Sequence, residues 1–273
     1  MNLFSPPEIT QNYIALGKKK ANNPIEKMFV LAIIAGAFIA LGGLAAATAA
    51  VGVTPASVGK LISGVIFPGG LTMVLLAGSE LFTGNCLLTI PLLEKEITVG
   101  QMLRNWVVVY TGNMVGAFLV AISMAYSNQF SMFDNGVAVS VLYTASSKCT
   151  ISFGVGLIRG IFCNFLVCIA VWLSFAAKDI AGKIIGLFFP ILIFIVCGFE
   201  HSVANMYYIG AGIFAKTIPA YAEAGQAAGI DLSVINFKNL FVTNLIPVTI
   251  GNIIGGGVCV GCAYWFLYLR KAK

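Results

Sequence analysis

Gly198-Phe199-Glu200-His201-Ser202-Val203-Ala204-Asn205 interrupts an apolar run that extends from Ile184 to about Phe214, and it carries the only histidine in the sequence. A glutamate and a histidine at membrane depth are costly unless they are paired or used. The octet has an echo: Gly78-Ser79-Glu80-Leu81-Phe82-Thr83-Gly84-Asn85 breaks another apolar run, with Gly, Glu and Asn at the same three places. Two polar breaks at matching positions in two halves point to a binding site near the bilayer midplane. The breaks are read as the lining of a pore.

Composition sets the class. With 59 % apolar and 10 % charged residues and a mean hydropathy of +0.95, the chain reads as a polytopic membrane protein. The lipid bilayer is therefore its expected surroundings. The net charge of +6 does not call for nucleic acid, because the lysines sit mostly at the ends of apolar runs with no basic patch interleaved with aromatics. The first twenty-five residues are polar and hold no apolar core followed by a small-residue cleavage site. No secretory signal is expected, and the first membrane helix should direct insertion. The seven cysteines are scattered. Cys259 and Cys262 form a C-x-x-C, but within an apolar span and without companion ligands nearby, so helix packing by small residues is the expected role. Neither a metal nor a cofactor is expected.

Residues 1–27 read as a polar, cytoplasmic N-terminal segment, and residues 28–270 as a single transmembrane channel domain. Within the segment, Pro6-Pro7-Glu8 can open a short helix whose apolar side (Ile9, Tyr13, Leu16) would lie on the membrane or on a neighbouring subunit. Six apolar spans follow, each weighed against the roughly 20 residues needed to cross. They run at about 29–51, 58–93 (broken at the first octet), 102–126, 151–177, 184–214 (broken at the second octet) and 239–269. A polar loop with Asp134, Asn135 and Lys148 joins the third to the fourth, and Pro68 and Pro190 are expected to bend the second and fifth. With the N-terminus inside, eleven Lys/Arg, among them Lys18 to Lys20, Lys27, Arg104, Lys271 and Lys273, fall on cytoplasmic segments. Only Lys60, Lys148, Lys216 and Lys238 fall outside, while Arg159 lies within the fourth span. This bias predicts a plasma-membrane protein with both termini cytoplasmic.

The repeat reaches beyond the octets. Asn105 to Gly116 reads N-x6-G-N-x2-G, and so does Asn244 to Gly255. A duplicated unit of three spans must insert upside down the second time, because three is odd. The fold class is thus all-α and polytopic, six transmembrane helices as two inverted three-helix repeats (about 28–130 and 150–270), with helices 2 and 5 broken.

Unwound backbone at membrane depth is tolerated only inside protein or along a watery path. Each outgoing half-helix starts with unpaired N–H groups and a positive dipole end, which attract anions. Thr83, Ser202 and Asn252 offer further donors. His201 alone has a reference pKa, about 6.5, that allows proton exchange near neutrality. A bare anion in an apolar channel faces an idealised Born cost of tens of kcal/mol, so small weak acids with two exchangeable forms suit the site. Glu80 and Glu200, with Asn85 and Asn205, are expected to tie the unwound backbone or to pair with a cation such as Lys148. Lys148 reads either as a solvated loop lysine or as a cation folded toward the centre. Phe67, Leu71, Leu81, Phe82 and Phe194 flank the breaks as greasy constrictions or as ordinary core.

At these residues the chain resembles the formate/nitrite transporter family. The motifs that carry the likeness are GSELFTGN (78–85), RNW with GN (104–113), Lys148, FFPI with GFEHSVANM (188–206) and NLIPVTIGNIIGG (244–256). The resemblance implies an aquaporin-like six-helix fold, a homopentamer with one pore per subunit, and passage of small monovalent anions. It also implies His201 as the central pore histidine, Thr83 and Asn252 as its polar neighbours, and Lys148 as the nearby positive charge. The whole string looks most like the family's hydrosulfide branch, which also passes formate, possible further permeants being nitrite and chloride. A dedicated formate or nitrite transporter is the alternative. Water or glycerol conduction would call for Asn-Pro-Ala at both half-helices, and neither octet has a proline. An intramembrane enzyme built on His201-Ser202 or the C-x-x-C lacks a G-x-S-x-G elbow, and an enzyme is not expected.

Overall fold

A computed structural model describes residues 3–270, which form helices and connecting turns with no strand beyond one isolated bridge between Leu3 and Ala177. Six helical units are long and apolar enough to cross a membrane: α2 (Ile25–Ala49), the pair α3 (Ala56–Ile66) and α4 (Pro68–Leu76), α6 (Val99–Tyr126), α8 (Phe153–Ala176), α9 (Ile180–Cys197) and α12 (Asn239–Tyr268). Between them lie α1 (Pro6–Ala21), α5 (Phe82–Leu93), α7 (Gly136–Cys149), α10 (Ser202–Ala215) and α11 (Pro219–Ala227). Both broken units are as expected: α4 stops before the first octet and α5 leaves it, while α9 stops before the second and α10 leaves it. Pro68 opens α4 one residue after α3 ends, whereas Pro190 sits inside α9 without ending it.

Glycine sets how closely the long helices cross. In the first half α2 packs on α6, where a side chain at Gly36 would overlap the Asn113 carbonyl and one at Gly116 the Ile33 carbonyl. In the second half α8 packs on α12, where side chains at Gly251 and Gly255 would meet the carbonyls of Leu157 and Ile161. Backbone contact of this kind is what small residues provide when lipid and side chain are equally apolar. The N-x6-G-N-x2-G motif thus supplies the crossing glycines and, one residue after the first of them, an asparagine.

Two expectations need correction. The apolar side of the segment before residue 28, expected to face the membrane or a neighbour, packs on the chain's own core. Its helix α1 starts at Ser5, whose backbone N–H donates to Glu8 Oε2 at 2.7 Å; that bond and the Ser5 hydroxyl hold the Glu8 carboxyl below its usual range. Ile9 and Tyr13 are then buried against the chain's own core, and Tyr13 Oη donates to the Gly84 carbonyl at 3.4 Å. Second, the connection carrying Lys148 is not a plain loop. Lys148 occupies the last turn of α7, a helix packed on α10. Lys271 and Lys273, counted in the charge bias, lie outside the described residues. Also unforeseen are two π-helical stretches in α12, Asn239–Leu245 and Ile254–Cys262; Thr89 of α5 donates to the Gly257 carbonyl within the second of them at 3.0 Å.

Gly116→Val and Gly255→Val should each lower the thermal stability of the purified protein in detergent, by roughly the 1–3 kcal/mol of an overpacked contact. Gly154→Val, where a side chain meets open space, should leave the melting temperature nearly unchanged.

Candidate functional site

Both breaks are closed by the same set of bonds. The first backbone N–H of α5, on Phe82, donates to Asn113 Oδ1 at 2.9 Å, and Asn113 Nδ2 donates to the carbonyls of Ala32 (2.7 Å) and Glu80 (2.9 Å). At the other break, Ser202 N–H donates to Asn252 Oδ1 at 2.9 Å, and Asn252 Nδ2 donates to the carbonyls of Gly160 (2.8 Å) and Glu200 (3.0 Å). Each asparagine is fully buried. Two backbone groups freed by the unwinding at each break, one N–H and one carbonyl, are thereby satisfied by one side chain, as a low-dielectric interior demands. Its remaining amide hydrogen joins a carbonyl of a neighbouring helix. Asn252, grouped from sequence with the donors of the pore, spends both amide hydrogens on backbone and has none left for a solute.

The glutamates form a second matched set. Asn85 Nδ2 donates to Glu80 Oε2 (2.7 Å) and Asn105 Oδ1 (2.9 Å); Asn205 Nδ2 donates to Glu200 Oε2 (2.6 Å) and Asn244 Oδ1 (2.8 Å). Lys148 Nζ reaches Glu200 Oε2 at 2.8 Å, and Lys20 Nζ reaches Glu80 Oε2 at 2.9 Å. Lys20, at the end of α1, is therefore the counterpart of Lys148, a role the sequence reading missed. Its one visible signal was its place in the triplet 18–20 preceding the first span. The matching is incomplete: Asn85 Oδ1 also accepts from Lys20 Nζ at 3.0 Å, while the buried Asn205 Oδ1 has no partner.

His201 caps α10. Its Nδ1 accepts the Ala204 backbone N–H at 3.0 Å, and its Nε2 lies 3.0 Å from Thr83 Oγ1. An amide N–H can only donate, so Nδ1 carries no hydrogen; the neutral ring then holds its proton on Nε2 and donates it to Thr83 Oγ1. Among the described residues the Thr83 hydroxyl has no other hydrogen-bond partner, which leaves its own hydrogen free. Ser202 Oγ is buried with no partner. The Phe194 ring stacks on His201 with centroids 6.1 Å apart and meets Phe67 edge-on at 5.5 Å. Phe67, Leu71, Leu81, Thr83, Phe194 and His201 are all buried.

A recess opens toward this cluster from each end of the helix bundle. One, of about 300 Å³ at the α7 end, is lined by Lys60, Lys148, Arg159, Glu200, Phe194 and His201, among others. At the α1 end another of about 290 Å³ is lined by Lys19, Lys20, Lys27 and Glu80, with a pocket of about 30 Å³ beneath it that reaches Leu71 and Leu81. Phe82, grouped with the constrictions from sequence, departs from them: its ring packs edge-on against Trp106 and Tyr110 of α6, with centroids 6.1 and 4.9 Å apart, and lines none of these recesses. Asn164 is a further residue the sequence reading passed over. Its Nδ2 joins the Thr83 carbonyl (3.1 Å) to the Asn252 carbonyl (2.7 Å), tying one break to the other. All seven cysteines are free thiols, and no group of three metal-binding side chains occurs among the described residues.

The sequence profile described as formate/nitrite transporter matches residues 7–266. The chain belongs to the formate/nitrite transporter family. Among curated formate/nitrite transporters, it is 39 % identical over 285 residues to a probable formate transporter of Methanothermobacter thermautotrophicus, covering 98 % of both chains. It is 38 % identical over 274 residues to the formate channel FocA of Escherichia coli, covering 99 % of this chain and 96 % of that one. A solved structure, a pentameric formate channel with formate bound, superposes with a TM-score of 0.80 at 34 % identity, covering 92 % of this chain and 99 % of that one. Family members are channels or transporters, so this chain is a multi-pass membrane transport protein and not an enzyme.

Replacing Asn113 or Asn252 by Leu strands two buried backbone groups of the break, each worth about 1–3 kcal/mol. Both variants should therefore melt well below the wild type in detergent, or fail to assemble. A melting temperature within a degree of wild type for either one would contradict the bonding described.

Proposed function

We propose that this formate/nitrite transporter passes small monovalent anions of weak acids, formate foremost, through the centre of the subunit. The observation that carries the reading is the contact between His201 Nε2 and Thr83 Oγ1, set in an apolar, closed centre between two lysine-bearing recesses. Lys148 and Lys20 draw an anion into either mouth, and the N-termini of α5 and α10 keep the centre positive. The neutral histidine holds the Thr83 hydroxyl as an acceptor, so that the hydroxyl hydrogen turns to the solute. His201 in this arrangement tunes the passage. Donating its own proton to the solute would first require loading Nδ1 and giving up the cap on Ala204. The apolar ring of Phe67, Leu71, Leu81 and Phe194 favours a weak acid crossing in its neutral form, with the desolvation cost of the ion avoided.

Relatives named as formate transporters and channels support formate over hydrosulfide, the first choice from sequence. We infer further a homopentamer with one passage per subunit, in line with the pentameric solved relative. The plasma membrane, with both termini cytoplasmic, fits the charge bias. The channel domain, read from sequence as residues 28–270, is extended to include α1, with repeat units starting at α1 and α7, because Lys20 and Lys148 hold equivalent bonds.

Purified protein in liposomes should pass formate, and faster as the pH falls, while osmotic swelling stays at the protein-free rate. Formate should exceed hydrosulfide, nitrite and chloride in a common panel; hydrosulfide in first place would restore the sequence reading. Thr83→Val should slow formate roughly twofold to tenfold, the worth of one neutral hydrogen bond (about 0.5–1.5 kcal/mol). If His201→Phe leaves both the flux and its pH dependence intact, the histidine has no such part.

A further inference from the structure

The two mouths each carry three cations and one carboxylate, but they differ in the kind of cation. At the α7 end, Lys60 in the first turns of α3, Lys148 at the end of α7 and Arg159 in the second turn of α8 line one recess with a single carboxylate, Glu200. Glu200 is taken by Lys148. The side chains of Lys60 and Arg159 have no ion-pair or hydrogen-bond partner among the described residues, although Lys60 lies within electrostatic reach of Lys148, Glu200 and Arg159. Two unspent positive charges thus face a recess of about 300 Å³ that also carries the hydroxyls of Ser140, Thr144 and Ser147. Arg159 is the residue that sets this mouth apart. Its carbonyl accepts the Glu200 backbone N–H at 3.3 Å, and in the other half the same bond, from Glu80 at 3.2 Å, ends on Leu31. The repeat therefore places a guanidinium at one mouth where the other has an aliphatic chain.

We propose that this recess is a docking site for a divalent tetrahedral oxyanion, such as sulfate or monohydrogen phosphate, which seats there and obstructs monovalent traffic. Arg159 presents a planar fork of donors suited to two oxygens of such an ion, and Lys60 supplies the second charge. The recess ends on the Phe194 and His201 rings, beyond which Phe67 and Leu71 close the way. Self-energy grows with the square of the charge, so a doubly charged ion meets about four times the monovalent penalty at that wall. It also lacks a neutral form near pH 7. The wall that lets a weak acid through in its neutral form stops this ion at the mouth.

Docking stands apart from the transport reading; only the obstruction rests on it. Sulfate is titrated calorimetrically into the detergent-solubilised protein against chloride at matched ionic strength, and formate flux is measured in proteoliposomes with and without sulfate. The wild type is expected to bind sulfate at least tenfold more tightly than chloride, and monohydrogen phosphate should behave like sulfate at pH 8. R159Q and the K60Q/R159Q pair should weaken sulfate at least tenfold, R159K less so, and sulfate should slow formate flux in the wild type far more than in the pair. Sulfate that binds no better than chloride, or equally well to K60Q/R159Q, overturns the proposal. If the variants do not fold, the wild-type comparison of sulfate with chloride decides alone. Sulfate binding in the absence of any formate flux supports the docking site and overturns the transport reading instead.

Discussion

One asparagine at each break holds the structure open at its centre. Unwinding a helix inside a bilayer releases backbone groups that neither lipid nor an apolar core can satisfy, and each costs on the order of kcal/mol. Asn113 and Asn252 absorb that cost by accepting one N–H of the break and donating to its carbonyl, while the second amide hydrogen reaches a neighbouring helix. Everything that faces the recesses depends on this. Without the break there is no helix start at Ser202 for His201 to cap, and no helix start at Phe82 to carry Thr83 toward it.

The glycines of the same motifs serve the same end by a different route. Asn113 and Asn252 reach across to the carbonyls of Ala32 and Gly160 only because α2 and α6, and α8 and α12, run at backbone contact. Glycine brings the helices together, and asparagine then joins them. A motif with Gly followed directly by Asn therefore encodes a distance and a bond at once, which explains why it recurs in both halves with unchanged spacing.

Much of this was legible in the sequence because polar residues at membrane depth are conspicuous. The two octets, the asparagine–glycine motif and the six spans stand out against 59 % apolar composition, and their order alone yields the inverted repeat. The counterpart of Lys148 was not legible. Helices α1 and α7 share little besides their lysine, and the repeat offset shifts along the chain: Lys20 pairs with Lys148, 128 residues on, whereas Glu80 pairs with Glu200, 120 residues on. A pattern search at one fixed period passes over such a match. Arg159, Lys60 and Asn164 were hidden for another reason: nothing in a single helical stretch shows which of its faces meets a recess formed by five others. Phe82 shows the limit from the other side, since proximity to a break in sequence does not decide whether a ring points into the recess or into the neighbouring helix.

The two lysine latches are built differently. Lys20 is held by a carboxylate oxygen and an amide oxygen, whereas Lys148 is held by a carboxylate oxygen and the face of the Tyr208 ring, 5.5 Å away, the matching amide oxygen of Asn205 standing idle. To turn toward the recess, Lys20 must release two oxygen acceptors, and Lys148 one oxygen and an aromatic face. Two entrances that descend from one duplicated design are thereby latched by different chemistry, one lysine shared between a carboxylate and an amide, the other between a carboxylate and an aromatic ring.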